Sequence, residues 1–403
     1  MKIALVHDWL FSMRGAEKVF LELCRLFPTA DVYTLLHRRG EVHPEIESHR
    51  IYPSFLQKAP GFVNHYPKFL PLFPLAIEAF DLTPYDLVIS SSHCVAGGVI
   101  TRPEALHISY VHSPMRYIWD MHFSYFPKSQ GNVLQRILYR LGSNYLRMWD
   151  IAASRRPDKM IANSGFVAQR IRKYYRRRAR VVHPPVEVEQ FQIARKTENY
   201  YLAFSANVPY KRVDLVLEAF QKLRLPLKVM GQGTASSALQ KRLGSHIEFL
   251  GWPADQEMRP ILAQAKALVY PALDDFGIIP VEANASGVPV IAFGAGGVLD
   301  TIVPLDERRD KNATATGLFF AEQSVAAIIK AVERFEKYQA CFQDRQAIRQ
   351  MAFRFHPSVF RRKVMSCVVN AARQKGIDFG QKNVASNNEG QETEFVRIAA
   401  TFP

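Results

Sequence analysis

The stretch "ALVYPALDDFGIIPVEANASGVPVIAFGAGG", residues 267 to 297, reads in order as strand, loop, helix, strand and glycine turn. "ALVYPA" is a short apolar run of buried-strand type. "LDDFG" is the loop at its carboxyl end, "IIPVEANASG" a helix and "VPVIAF" the next strand. The first backbone N–H groups of that helix, Gly277 to Ile279, have no intrahelical acceptor. A helix start of this kind holds a phosphate or a sugar hydroxyl, and a glycine there lets the ligand approach the backbone. Glu282 lies about one turn inside, where a buried carboxylate needs a hydrogen-bonding partner such as a ribose diol. Asp274 stands eight positions earlier, in a loop from which it can face a sugar.

Outward from this stretch, apolar strand-like runs alternate with segments of helical period, as in βαβ units. "KIALVHDW", "DLVISSS", "ALHISYVH" and "KMIANS" form a first series, with helices "AEKVFLELCRLF" and "FVAQRIRKYY" among them. "YYLAFSA", "PLKVMG", "IEFLGW", "ALVYPA" and "VPVIAF" form a second, and the proline-bearing segment 183–198 between them reads as a linker. The expected fold is α/β: two Rossmann-like, doubly wound domains facing across a cleft, because ligands of such sheets sit beyond the carboxyl ends of the strands. Expected boundaries are 1–190 for the first domain, with a helix at 355–375 crossing back to it, and 191–354 for the second. The polar segment 376–403 is too poor in apolar residues to fold alone and is expected to be disordered.

A length of 403 residues fits two or three domains, and 48% hydrophobic with 22% charged residues fits a globular chain with a sizeable core. The four cysteines are far apart without CxxC spacing, so neither a zinc site nor a disulfide framework is suggested and a reducing cytoplasm is expected. The opening "MKIALVHDWL" has an apolar run too short for a secretory h-region and reads as a first strand. No run of eighteen apolar residues predicts a membrane span. The net charge of +15 calls for an anionic partner. Basic residues gather in "QRILYRLGSNYLRMWDIAASRR" (135–156) and "QRIRKYYRRRARVV" (169–182), and "HYPKFLPLFPLAIEAF" (65–80) mixes lysine with large apolar side chains. An anionic membrane surface and a merely solvated basic face both account for this. Nucleic acid is not expected, since no helix-turn-helix, RNP or zinc-finger pattern accompanies the charge.

With these residues in view, the sequence resembles the family-4 retaining glycosyltransferases of the GT-B fold. Their Glu-x7-Glu signature appears as Asp274-x7-Glu282. "DDFGIIPVEANASGVPVIA" followed by "GAGG" is similar to the bacterial mannosyltransferases of O-antigen and exopolysaccharide synthesis. The resemblance spans roughly residues 1 to 370 and includes "VHDWL…RGAEKV", "LVISSSHCVA", "YVHSPMRYIWD", "IANSGFVAQRI" and "VPYKRVDLVLEAF".

The resemblance implies roles for particular residues. Gly15 lets the donor diphosphate and acceptor approach the first domain, His112 contacts the donor sugar as part of the catalytic set, and His93 lies on the acceptor side. Lys211 neutralises the diphosphate, with Arg212 a candidate to share the role of an arginine the family often carries five or six positions earlier, where this chain has Ser205 and Ala206. Gly231 and Gly233 match a GxG loop of the nucleotide domain, although two glycines after a strand also suit a plain turn. Asp274, one methylene shorter than the usual glutamate, takes the first acidic role with Asp275 as an alternative. Phe276, Gly277, Ile278, Ile279 and Glu282 bind the donor, and Gly296 and Gly297 crowd its phosphates.

No DxD spacing occurs, so a reaction without metal or other cofactor is expected, the diphosphate charge being met by side chains and helix-terminal amides. The implied reaction is retaining transfer of a hexose, with mannose from GDP-mannose moving to a lipid-linked saccharide at the inner face of the cytoplasmic membrane. A UDP-sugar donor on the same fold, a non-hydrolysing epimerase of GT-B kind and a non-catalytic basic membrane-surface protein are the alternatives. The epimerase histidine and acid pattern is not seen.

Overall fold

The computed structural model describes all residues except 126–132, 206–207, 232–242, 307–313 and 378–403. Two units divide the chain, Met1–Pro185 with the segment from Pro357 onward, and Val186–His356. The segment expected to be disordered lies outside the described residues from 378 on.

In the first unit seven parallel strands run in the order β3-β2-β1-β4-β5-β6-β7. These are β1 (Ile3–His7), β2 (Asp31–Thr34), β3 (Ile51–Pro53), β4 (Leu87–Ser92), β5 (Leu106–Val111), β6 (Lys159–Ala162) and β7 (Arg180–Val181). Every residue of β4 and β5 is buried, as a parallel sheet covered on both faces requires. Helix α1 (Gly15–Leu26) follows β1, buries Val19, Phe20 and Leu23, and leaves Lys18 exposed. Helix α2 (Val133–Ala153) precedes β6, and α3 (Gly165–Tyr175) follows it with Ser164 capping its start. The last described helix, which closes this unit, spans Pro357–Gln374; its Phe360, Val364 and Val368 join the core under α1, and Arg361 bonds the buried Glu22 at 2.6 Å.

The second unit repeats the plan with six parallel strands, β10-β9-β8-β11-β12-β13. They are β8 (Tyr201–Ser205), β9 (Leu227–Gly231), β10 (Ile247–Gly251), β11 (Ala267–Tyr270), β12 (Val290–Phe293) and β13 (Gly317–Phe320). Helix α4 (Val213–Leu223) lies between β8 and β9, and α5 (Ile278–Ala285) between β11 and β12. Each sheet has the strand order 3-2-1-4-5-6 of a doubly wound fold, extended by β7 in the first, so the order reverses between β1 and β4 in one and between β8 and β11 in the other. The two expected doubly wound α/β domains are therefore present, and each brings two loops together at its reversal point.

Candidate active site

At the reversal point of the first sheet, β1 and β4 pair with His7 opposite Ser91. The chain leaves β1 at Asp8, which is fully buried. Its two carboxylate oxygens accept the backbone N–H groups of His93, Cys94, Val95 and Ala96 at 2.7 to 2.9 Å. Four amide donors replace the hydration of a charge that would otherwise be costly to bury. Asp8 thus fixes the turn that carries His93, whose Nδ1 is 3.2 Å from the same carboxylate and whose ring meets Trp9 edge-on at 4.4 Å.

His112 follows β5, with its backbone N–H donating to Ser92 and its carbonyl accepting from Asn163. Its Nε2 lies 2.8 Å from Ser91 Oγ, and its ring centre is 6.1 Å from that of His93 and 6.4 Å from that of His7. Burial, with His93 and His7 close by, pushes the His112 pKa well down, and burial also lowers that of His93 against the pull of Asp8. Gly15 opens α1 two residues before Glu17, which is buried with Oε2 on the Arg14 amide at 3.0 Å and Oε1 3.7 Å from His7 Nε2. Burial works to raise the Glu17 carboxyl, but the interaction with His7 outweighs it and holds it below the usual range. So His93 and His112, singled out in the sequence for the acceptor and donor sides, lie beside each other around a core of His7, Asp8, Glu17 and Ser91 that the sequence reading did not single out. The signal was available: "VHD" and "ISSSH" end the two strands on either side of a reversal point.

At the reversal point of the second sheet, Lys211 closes a single 3-10 turn, Pro209–Lys211, after β8. Its Nζ is 2.7 Å from Asp274 Oδ2 and 3.1 Å from the Tyr270 hydroxyl, which itself donates to Asp274 Oδ2 at 2.7 Å. Burial would lower the lysine pKa, but Asp274 and Tyr270 reverse this, so Lys211 is held as a cation. Burial, then Asp274, raises the Tyr270 phenol and keeps it a donor. Lys211 and Asp274, expected to face a diphosphate and a sugar, thus face each other through Tyr270, a residue the sequence reading took only as the end of a strand. Arg212 is engaged elsewhere: it sits at φ 46° and its guanidinium binds Asp214 at 3.0 to 3.2 Å in the first turn of α4.

Gly277 precedes α5 at φ 86°, a backbone state that glycine adopts without strain. Within α5, Glu282 is buried, 6% exposed, while Ile278 and Ile279 are half-buried against the core. Phe276 is a core side chain, stacked edge-on with Phe355 at 5.4 Å, so only its backbone is available to a ligand. The space beside Gly296 and Gly297 is occupied by protein: a Cβ on Gly297 would lie 2.3 Å from the Asp275 carbonyl, and one on Gly296 2.6 Å from that of Asp274. These glycines seat the Asp274 loop. Gly231 likewise lets the end of β9 approach Ser205, and Gly233 lies outside the described residues.

The chain matches two family models, Glycosyltransferase Family 4 over residues 13–190 and Glycosyl transferases group 1 over residues 185–355. It is 24% identical over 325 residues to the alpha-1,3/1,6-mannosyltransferase ALG2 of Kluyveromyces lactis, covering 66% of this chain and 61% of that protein. It is 31% identical over 120 residues to the O-antigen chain mannosyltransferase RfbU of Salmonella typhimurium, covering 28% and 34%. An uncharacterized glycosyltransferase of Methanocaldococcus jannaschii is 28% identical over 156 residues, 38% of this chain and 44% of that one. The chain thus spans less than two thirds of each of these relatives. Among solved structures, Anabaena HepE in complex with UDP and glucose superposes with a TM-score of 0.60 at 16% identity over 92% of this chain and 99% of that one. The two family models together account for residues 13–355, and with the two doubly wound sheets they establish that the chain belongs to the GT-B glycosyltransferases of group 1 and family 4.

Proposed function

We propose that the chain is a retaining glycosyltransferase that moves mannose from GDP-mannose to a lipid-linked saccharide of bacterial surface polysaccharide synthesis. The observation that carries this reading is the half-buried Lys211–Asp274 pair on the Tyr270 hydroxyl, with Asp274 three residues before a glycine-opened helix start and Glu282 one turn inside it. Nucleotide-sugar transfer asks for such a set. As the glycosidic bond breaks, charge gathers on the leaving nucleoside diphosphate, and a fixed ammonium stabilises it most when no reorganisation is needed. The amides at Gly277 to Ile279 suit a phosphate, and Glu282 suits a ribose diol. Asp274 suits a sugar hydroxyl once Lys211 has turned to the diphosphate. No glycosidase-like pair of carboxylates is assigned here, and attack on the same face as the departing diphosphate, with a phosphate oxygen taking the acceptor's proton, gives retention. Mannose as the sugar is supported by the names of the ALG2 and RfbU relatives.

A lipid-linked acceptor requires the enzyme to sit at a membrane, and α2 suits this. Among the described residues no helix is long and apolar enough to cross a membrane. Yet Val133, Leu134, Ile137, Leu138, Leu141 and Met148 are all exposed. At 100° per residue they fall within an arc of roughly 140°, along one edge of which lie Arg136 and Arg140, while Leu146 and Asp150 on the other side face the core. An apolar stripe edged by arginines fits an anionic lipid interface.

The test is calorimetric titration of the protein with GDP and with UDP. Preferred GDP binding, weakened at least about tenfold in Glu282→Ala, supports the reading. Preferred UDP binding overturns the mannosyl donor, and binding of neither overturns the enzyme.

A further inference from the structure

Counting hydrogens around Ser91 decides how His112 meets a ligand. His7 Nδ1 lies 3.0 Å from the Ser91 carbonyl and 3.1 Å from the Ser91 hydroxyl oxygen. A carbonyl only accepts, so His7 Nδ1 carries a hydrogen and donates it. The Ser91 hydroxyl therefore does not donate back to His7. Its one other partner among the described residues is His112 Nε2 at 2.8 Å, and all of this is buried. A buried hydroxyl hydrogen left without an acceptor costs roughly 1–3 kcal/mol, so it goes to His112 Nε2. Nε2 is then an acceptor, and the hydrogen of a neutral His112 is on Nδ1, the nitrogen with no hydrogen bond to the described residues. Burial, reinforced by His93 and His7, keeps the ring neutral. Behind His7, Glu17 Oε1 stands 3.7 Å from Nε2, itself buried and without a hydrogen bond.

We infer that Ser91 and His7 are positioning residues that lock His112 in its Nδ1–H tautomer, so that His112 meets the sugar donor as a neutral hydrogen-bond donor and not as a proton acceptor. The partner class is an oxygen of the donor sugar or its phosphate, a role that rests on the proposed transferase reading; the tautomer lock itself does not. Each link of the relay has one function. The Ser91 carbonyl orients His7, His7 Nδ1 is thereby removed as a competing acceptor for the serine hydrogen, and the serine presents that hydrogen to His112.

Long-range 1H–15N NMR of protein labelled at histidine reads the tautomer directly. In the wild type the His112 signals are those of the Nδ1–H form from pH 6 to 8. Ser91→Ala loses the lock and gives a mixture of tautomers, and Ser91→Thr restores it. In parallel, Ser91→Ala lowers kcat/KM at least about tenfold with GDP affinity within about twofold of wild type, and Ser91→Thr recovers most of the loss. An Nε2–H or doubly protonated His112 in the wild type overturns the relay, whatever the mutants do. So does a tautomer unchanged in Ser91→Ala. If the lock is present and no nucleotide binds, the transferase reading fails and the relay stands.

Discussion

Lys211 and Asp274 form a half-buried ion pair, Nζ to Oδ2 2.7 Å, that the Tyr270 hydroxyl bridges at 3.1 and 2.7 Å. On the proposed reading, the cation for the diphosphate is paired before binding with the carboxylate for the sugar. Donor binding would then be an exchange in which the diphosphate takes Lys211 and the sugar takes Asp274. A nucleoside diphosphate without sugar performs half of that exchange and takes the ammonium away from Asp274 with nothing in return, which opposes its binding. Asp274→Asn keeps the shape and removes the competing charge. Its expected effect is GDP affinity raised about three- to tenfold and sugar transfer slowed at least about a hundredfold. Calorimetry with GDP and a transfer assay check the two halves, and a fall in both rejects the exchange.

Tyr270→Phe removes the bridge while leaving both ions in contact. One hydrogen bond to a charged group is worth about 1.5–3 kcal/mol. Because Asp274 is a methylene shorter than glutamate, the hydroxyl helps to hold it in reach of Lys211. The expected result is kcat lowered about tenfold with smaller change in GDP affinity. An activity equal to wild type makes Tyr270 a packing residue only.

Much of this was legible in the chain. The strand ends "VHDW" and "SSSHC", the lysine after "VPY" and the Asp274 loop that begins the x7 spacing to Glu282 fall at the reversal points of their sheets, and "YVH" ends the strand beside the first of them. Strands β2, β3, β7 and β13 were not read, because short runs such as "IYP" and "RV" carry too little periodicity to separate from loop. Tyr270 was missed for a physical reason: an aromatic residue closing a buried strand looks like core, and only the loop geometry brings a carboxylate and an ammonium onto its hydroxyl. The glycines erred the other way. The missing Cβ of Gly297 signals a close approach, but sequence does not say whether ligand or the protein's own backbone does the approaching.

Gly297→Ala places a methyl 2.3 Å from both the Asp275 carbonyl and Phe276 Cα, so the backbone must move. The loss expected in denaturant unfolding is about 2–4 kcal/mol, with Asp274 displaced and transfer reduced. Gly142, in α2, is the control, since a Cβ there meets nothing within 4 Å. Gly142→Ala is expected to stabilise by about 0.5–1 kcal/mol.

Replacing Leu134, Leu138 and Leu141 together by Gln removes half of the apolar stripe on α2 without touching its buried side. Sedimentation with vesicles of anionic phospholipid is expected to show binding by the wild type, at least about tenfold less by the triple variant, and a comparable loss for the wild type at high salt. The melting temperature stays within a few degrees. Unchanged vesicle binding by the variant assigns the membrane surface to another face.

Asp150 gives a pH signature opposite to that of the buried histidines. Its Oδ2 accepts from Trp119 Nε1 at 2.7 Å and from Tyr175 at 2.9 Å, yet burial pushes its pKa up to about 7 against those two hydrogen bonds. Between an unfolded value of 3.8 and that folded value the native state holds a proton the unfolded chain has released. Stability from this group is therefore complete below its unfolded pKa and is lost as pH rises towards about 7, by at most about 1.4 kcal/mol per pH unit. His107, pushed down to about 4 by burial against the attraction of Asp158, has the reverse sign: its contribution is present above its unfolded pKa of 6.5 and is lost as pH falls towards 4. The two slopes oppose each other between pH 4 and 6.5. Asp150→Asn keeps an oxygen to accept from Trp119 and Tyr175 and removes the proton exchange. Compared by urea unfolding at pH 5 and pH 7.5, the variant is expected to gain on the wild type by up to about 3 kcal/mol over that interval. A stability difference that does not change with pH means that Asp150 ionises alike in the folded and unfolded chains.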